Sequence, residues 1–424
     1  MNFEWTEQLH KLFRVRLPES TFKIQKGIYH FRREAQGNIT RFHLRVEEDG
    51  TGLLLANSAV AARLSPTGVL IAKALLEGMG PEKIKETIHN HYRDVRDDEV
   101  DGDIQKLKNF IETLANPEDN YPIFNLDDPS VSTPRELFAP FHAQIPVGDP
   151  DQINPILQKL WDSGVIHVTF AAVSESSVAH AVRNVERAED IGMISGLRAT
   201  GTWLQTPDLL RDAAQAGVDY ITVPLLSSDD AIHDRFFGNG DFDNALKTIR
   251  DCRQLEVCPV VEIALIHENF EGIESLLHLL QENGVRNVLY YAIAGQQDSS
   301  SLSPLEVIHI AALVDQLAHQ SDVRYVWQPP VSSARSTKEL LMNGPRTAGD
   351  VSIRVEADGS VYPARGPMTA AGNLLRDSWE SIWENPVFLR YRKRVESPTR
   401  CDVCPGLEIC AADCPGNPEG WATE

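Results

Sequence analysis

The chain has 424 residues, enough for two to four domains at roughly 100–200 residues each, which excludes a peptide hormone or mini-protein. Its 42% hydrophobic and 24% charged residues are those of an ordinary globular protein and exclude wholesale disorder. The 40 Lys and Arg against 61 Asp and Glu leave a net charge of -21, so a general grip on a phosphate backbone is disfavoured and no nucleic acid partner is expected.

From Met1 to Leu17 there is no apolar run of signal-peptide length, and no later stretch approaches about 18 uncharged apolar residues. The expectation is a cytoplasmic protein without a membrane partner. Residues 1–118 read as a first domain. Arg41–Val46 alternates and leads through Glu48-Asp49-Gly50-Thr51-Gly52 into Leu53-Leu54-Leu55, a hairpin by its turn chemistry. Three helices follow. Ser65-Pro66 opens the first, with Val69, Leu70, Ala72, Leu75 and Leu76 on one face and Gly78 as its stop. Pro81 opens the second around Ile84 and Ile88, and the third runs from about Asp98 to Leu114. Together they give a winged-helix-like α+β arrangement. A DNA-reading role is disfavoured, because Lys83 and Lys85 sit beside Glu82 and Glu86, and Lys106 and Lys108 among many acids. The Pro-, Asp- and Ser-rich residues 119–134 read as a linker.

Between 135 and 345, short β-branched runs alternate with helical periods at a spacing of roughly 30 residues. The expected strands are Phe138–Ile145, Val165–Ala172, Ile194–Thr200, Tyr220–Leu225, Pro259–Ile266, Asn287–Ile293 and Arg324–Gln328. Gly164, Gly192, Gly217 and Gly284 each close a helix just before a strand. Repeated βα units imply a parallel α/β sheet with helices outside, and six or seven of them a partial (β/α)6-type barrel. Thr200, Asp229, His233 and Glu262 are candidate pocket residues at the carboxyl ends of its strands. For His233-Asp234 a loop-fixing role outweighs a chemical one. Ser174, Glu175 and His180 lack the Gly-x-Ser-x-Gly elbow of a hydrolase.

Residues 346–424 form a small last domain. Val351–Val355 and Ser360–Pro363 flank Glu356-Ala357-Asp358-Gly359, a hairpin signal. Cys401, Cys404, Cys410 and Cys414 then place four thiols within 14 positions, a spacing that lets thiolates converge on one zinc ion or one iron–sulfur cluster. In a reducing compartment a metal site outweighs disulfides. Cys252 and Cys258 read as small buried hydrophobes.

Cys-x2-Cys-x5-Cys-x3-Cys resembles the C-terminal signature of the SPASM extension of radical S-adenosylmethionine (radical SAM) enzymes. The hairpin from Val351 to Pro363 and the segment from Gly372-Asn373-Leu374 to Trp383 resemble that family too, as does His233-Asp234-Arg235 with Gly238-Asn239-Gly240-Asp241-Phe242. Residues 41–115, with Asn57 to Ser65, resemble PqqD-type peptide-recognition domains. The resemblance implies one auxiliary 4Fe-4S cluster on the four cysteines, with zinc as the alternative. It also implies a precursor peptide as partner, adding a strand beside Leu53, Leu54, Leu55 and Ala56.

Two departures set the functional expectation. The family binds its catalytic cluster through Cys-x3-Cys-x2-Cys after the first barrel strand, where this chain has Ala143-Gln144-Ile145-Pro146-Val147-Gly148-Asp149-Pro150 and no cysteine before Cys252. The Gly-Gly-Glu-Pro element after the second strand is replaced by Phe170-Ala171-Ala172-Val173-Ser174-Glu175. Both argue against S-adenosylmethionine as a cofactor. The reading is a pseudoenzyme of a peptide-maturation system, supporting an active radical SAM partner. An enzyme with a small molecule in its barrel and an electron-relay protein are the alternatives.

Overall fold

A computed structural model describes residues 24–35, 38–56, 60–92, 95–115, 138–293, 299–319, 323–327, 336–344, 352–363 and 369–389. The chain divides into two compact units at Phe138/Ala139.

In the first unit, β1 (Gly27–Ala35), β2 (Asn38–Val46), β3 (Gly52–Ala56) and β4 (Val60–Leu64) form an antiparallel meander in chain order. Helices α1 (Pro66–Leu76), α2 (Pro81–His91) and α3 (Asp97–Ala115) follow. Ser65 caps α1 by accepting the Gly68 N–H, and Pro66 sits where a missing N–H costs nothing. Alternation sends Phe42, Leu44, Val46 and Leu54 into a core with Val69, Ile84, Ile88, Ile104 and Leu107. The expected hairpin is thus the middle of a four-stranded sheet. Strand β1 escapes the pattern because His30, Arg32, Arg33 and Glu34 crowd its alternation.

One expectation is corrected here. Leu53–Ala56 cannot accept an added strand, because β3 is hydrogen-bonded to β2 on one side and β4 on the other. All four side chains are buried. Among the described residues the edges of this sheet are β1 and β4.

The second unit is built on one sheet. Strands β5 (His142–Pro146), β6 (His167–Ala171), β7 (Ile194–Arg198), β8 (Tyr220–Pro224), β9 (Cys258–Leu265), β10 (Asn287–Ala292) and β11 (Arg324–Trp327) lie parallel and side by side in chain order. All seven expected strands are found, each within a few residues. The helices after them are α4 (Pro150–Ser163), α5 (Ala181–Ile191), α6 (Gly201–Leu204), α7 (Leu209–Gln215), α8 (Asp230–Phe237), α9 (Asp241–Gln254), α10 (Ile273–Glu282), α11 (Pro304–His319) and α12 (Thr337–Asn343). Gly164 and Gly192 take left-handed conformations at helix ends, as the punctuation implies.

Among the described residues the sheet is open, with β11 at one end. At the other, β12 (Ser352–Val355) pairs parallel with β5 and continues into β13 (Ser360–Pro363) and β14 (Gly372–Asn373), with α13 (Trp379–Trp383) following. The expected boundary at 345/346 therefore does not interrupt the sheet.

Strand register sorts the side chains. Val168, Phe170, Leu197, Ile221, Val223, Val261, Ile263 and Val288 point to one apolar face, packed beneath helices such as α5 and α9. His142, Gln144, His167, Thr169, Gly196, Arg198, Tyr220, Thr222, Glu262 and Tyr291 point to the other. That second face is polar, yet every one of these non-glycine side chains except half-buried His142 is classed as buried.

Candidate functional site

Two polar clusters occupy the inner face. The first lies toward the carboxyl ends of the strands. Arg198, the last residue of β7, meets Glu262 of β9 in a bidentate pair, with Nε–Oε2 at 2.9 Å and Nη2–Oε1 at 2.7 Å. Both side chains are almost fully buried, at 4% and 3% exposure, so water does not screen the pair. Arg198 also donates through Nη1 to the Met342 carbonyl at 2.8 Å and through Nη2 to the Leu341 carbonyl at 2.9 Å, both at the end of α12. Burial alone would pull the guanidinium pKa down, but the Glu262 charge and its hydrogen bonds outweigh burial and the net shift is upward.

Tyr291 of β10 shares this environment. Burial first, and then the Glu262 carboxylate, push its phenol well above the usual tyrosine range, with Arg198 opposing. Its hydroxyl is buried without a hydrogen-bond partner. Leu340 and Leu341 of α12 pack with Leu226, Phe236, Ala264, Ile266, Tyr291 and Ile293. Helix α12 and its leucines thus fill the space over this end of the sheet.

The second cluster lies at the amino ends. His142 Nδ1 is 2.5 Å from Ser352 Oγ and His142 Nε2 is 2.7 Å from Thr169 Oγ1. Tyr220 Oη lies 2.5 Å from the same Thr169 oxygen and 2.7 Å from His167 Nε2. Tyr220 reaches them only because position 196 is glycine: a Cβ there would sit 2.1 Å from the tyrosine ring. Burial lowers the His142 pKa to about 4.

The four pocket candidates do not converge. Glu262 alone belongs to the inner cluster. Thr200 caps α6, accepting the Trp203 N–H at 3.4 Å, and Asp229 caps α8, accepting the Ala231 N–H at 2.9 Å and the Ile232 N–H at 3.4 Å. His233 is fully buried and its Nδ1 accepts the Leu226 N–H at 3.1 Å, which places the ring proton on Nε2, donated to Asp241 at 3.0 Å. Asp241 in turn accepts the Thr202 N–H at 2.7 Å, and Asp234 accepts the N–H groups of Gly240 and Phe242. The whole family-like segment is a loop lock.

Arg198, Tyr291 and the histidine–tyrosine network were missed by sequence reasoning. A cavity of about 390 Å³ on the helical side was missed as well; it is lined by residues such as Gln205, Asp208, Arg211 and Lys247. Lys247 and Arg211 there are already paired with Asp251 and Asp208.

Whether these residues suit an iron–sulfur centre differs by place. Val147, Gly148 and Asp149 are all that connects β5 to α4, Val147 is buried, and Gly148 is pinned to Asn184 Oδ1 at 3.1 Å. No thiol stands there, so this connection does not fit a three-cysteine cluster. Cys401, Cys404, Cys410 and Cys414 lie outside the described residues; as a donor set they suit one all-thiolate centre. Cys252 and Cys258 are buried, and burial above all pushes the Cys252 thiol up to about 12, which suits an inert packing residue.

The radical SAM superfamily model matches residues 134–280 and the SPASM iron–sulfur cluster-binding domain model matches residues 347–406, so the chain carries both domains in that order. The second match ends between the Cys401/Cys404 and Cys410/Cys414 pairs. An AdoMet-dependent heme synthase from Methanosarcina barkeri is 25% identical over 244 residues, 52% of this chain and 70% of that protein. Streptococcus suis SuiB bound to S-adenosylmethionine shares the fold, with TM-score 0.57 at 13% identity over 91% of this chain and 95% of that one. SuiB bound to the precursor peptide SuiA superposes with TM-score 0.54 at 12% identity, covering 86% and 90% of the two chains.

Proposed function

We infer that this chain is a radical SAM/SPASM-type protein that binds a precursor peptide and assists an active modifying partner without cleaving S-adenosylmethionine itself. The observation that carries the reading is the three-residue, thiol-less connection Val147–Asp149. Without thiolates there, no iron with an open position is held where the family reduces its cofactor. The inner cluster supports the same reading, because Arg198, Glu262 and α12 fill the carboxyl end of the sheet. The peptide route is strand addition at an edge of the PqqD-like sheet, β1 or β4 in place of the interior β3. Two helix lysines of that unit are paired with acids, Lys85 at 2.8 Å from Asp101 and Lys106 at 3.4 Å from Asp103, which weighs against a nucleic-acid partner. Cys401, Cys404, Cys410 and Cys414 would hold one auxiliary 4Fe-4S cluster, or zinc. The heme synthase relative favours a second reading, AdoMet-dependent chemistry on a tetrapyrrole, against which the same missing thiols weigh.

The test is anaerobic purification of the full chain with iron, sulfide and zinc quantified, followed by incubation with S-adenosylmethionine and a strong reductant. About four iron and four sulfide per chain, lost in a Cys401→Ala, Cys404→Ala variant, together with no reductive cleavage, is the expected result. Turnover of S-adenosylmethionine, or well over four iron, would overturn the reading. Titration of a labelled precursor leader checks the peptide half.

A further inference from the structure

We propose that residues 116–137, which connect α3 to Phe138 and lie outside the described residues, dock back on the helix-free face of the first sheet, acids on its arginines and apolar side chains on Leu53 and Leu55. The inference goes beyond the reading above and does not rest on it. Helices α1, α2 and α3 all pack on the face of Phe42, Leu44, Val46 and Leu54. Register puts Leu53, Leu55 and four arginines on the other face, where Arg32 stands opposite Arg41, Arg45 opposite Leu53, and Leu53 opposite Arg63. Among the described residues its carboxylates are Glu34 and Glu47, and Glu47 is taken by Arg45 at 2.9 Å. The face is positive: the His30 pKa is lowered, first by desolvation and then by Arg41 and Arg32. It is also covered, since Arg41, Arg45, Leu53 and Leu55 are all buried. A cover for it must bring both apolar side chains and carboxylates.

The segment's two ends are fixed at opposite ends of β2. Before it, the Ala115 carbonyl accepts the Thr40 hydroxyl at 3.2 Å. After it, Phe138 donates its N–H to Glu47 Oε2 at 3.2 Å, and its ring lies 4.7 Å from the Arg45 guanidinium. Arg45 and Glu47 alternate onto the helix-free face, so the segment finishes there. Thr40 to Glu47 spans about 23 Å at roughly 3.3 Å per residue, which the 22 residues cover with about two-thirds of their length to spare. Composition matches the face. Glu118-Asp119 and Asp127-Asp128 bracket Tyr121, Ile123, Phe124 and Leu126, an apolar stretch with acids on either side. Arg45 and Arg63, on either side of Leu53, are the complement. Carboxylates also make stronger hydrogen bonds to guanidinium than neutral acceptors do.

The experiment is site-directed photocrosslinking in the full chain, with a benzophenone amino acid in place of Phe124. Cross-links should map to residues 28–63; cross-links confined to residues beyond 139, or none at all, would overturn the proposal. Hydrogen exchange then reads the contribution of charge. Amides of residues 120–128 should exchange at least about tenfold more slowly than in an isolated, acetylated and amidated peptide of residues 116–137, and Asp127→Lys, Asp128→Lys should remove most of that protection while β2 and β3 keep theirs. Exchange at the free-peptide rate, or protection unaltered by the charge reversal, would also overturn it. Failure of a leader to bind the amino-terminal sheet would sink the earlier reading and leave this one standing, since both readouts are the segment itself.

Discussion

The two ends of the parallel sheet solve the same problem with different chemistry. Toward the carboxyl ends, two full charges, Arg198 and Glu262, neutralise each other out of water. At the amino ends, His142, His167, Thr169, Tyr220 and Ser352 share neutral hydrogen bonds of 2.5 to 2.7 Å. A neutral network is costly only where a bond is missing, whereas an ion pair is costly wherever one partner is lost. At the charged end the guanidinium's remaining N–H groups are met by the Met342 and Leu341 carbonyls at the end of α12.

The largest expected effect comes from breaking that pair on one side. Arg198→Met or Glu262→Gln should destabilise the chain by about 3–5 kcal/mol in urea unfolding, because a buried charge is left uncompensated. The double variant Arg198→Met, Glu262→Leu should recover most of the loss. If the double variant is as unstable as the singles, the pair is contributing more than mutual neutralisation.

The amino end answers to pH. His142 titrates near 4 in the folded chain against about 6.5 unfolded, so between those values the unfolded state binds the extra proton. Stability should thus be fully present above pH 6.5 and fall as pH drops toward 4, by about 3 kcal/mol for this group. Unfolding midpoints across pH 4–7 check it, and His142→Gln should flatten the slope. A smaller effect is steric: Gly196→Ala should cost about 1–3 kcal/mol by driving a methyl into the Tyr220 ring, and Tyr220→Leu in the same chain should relieve part of it.

How much of this was legible in the sequence depends on what each element needed. The seven parallel strands were readable because strands covered on the helical side are apolar runs punctuated by helix-ending glycines. The inner clusters were not, since partners such as Arg198 and Glu262 stand 64 residues apart and only register brings them together. A signal was present nonetheless: a lone Arg ends ISGLR and a lone Glu sits in CPVVEIAL, two opposite charges in strands otherwise free of charge. Buried charges must find partners, so the two could have been paired. Strand β1 was hidden by its own charges, and the unrecognised β4 made β3 look like an edge. The four-cysteine tail was legible as chemistry because its ligands are local in sequence.

The smallest effect tests a residue that looked functional. Asp229 sits at the carboxyl end of β8, where a ligand-binding carboxylate would be expected, but its side chain accepts two N–H groups at the start of α8. A cap and a binding group make different demands on the side chain. Asn retains the accepting oxygen without the charge, so Asp229→Asn should leave stability within about 0.5 kcal/mol while Asp229→Ala loses about 1 kcal/mol. Neither should disturb the Arg198–Glu262 pair, because the cap ends on α8 backbone and not on that cluster. Urea unfolding of the two variants reads the difference: a loss in Asp229→Asn as large as in Asp229→Ala would show instead that the start of α8 needs the carboxylate's charge and not just its accepting oxygen.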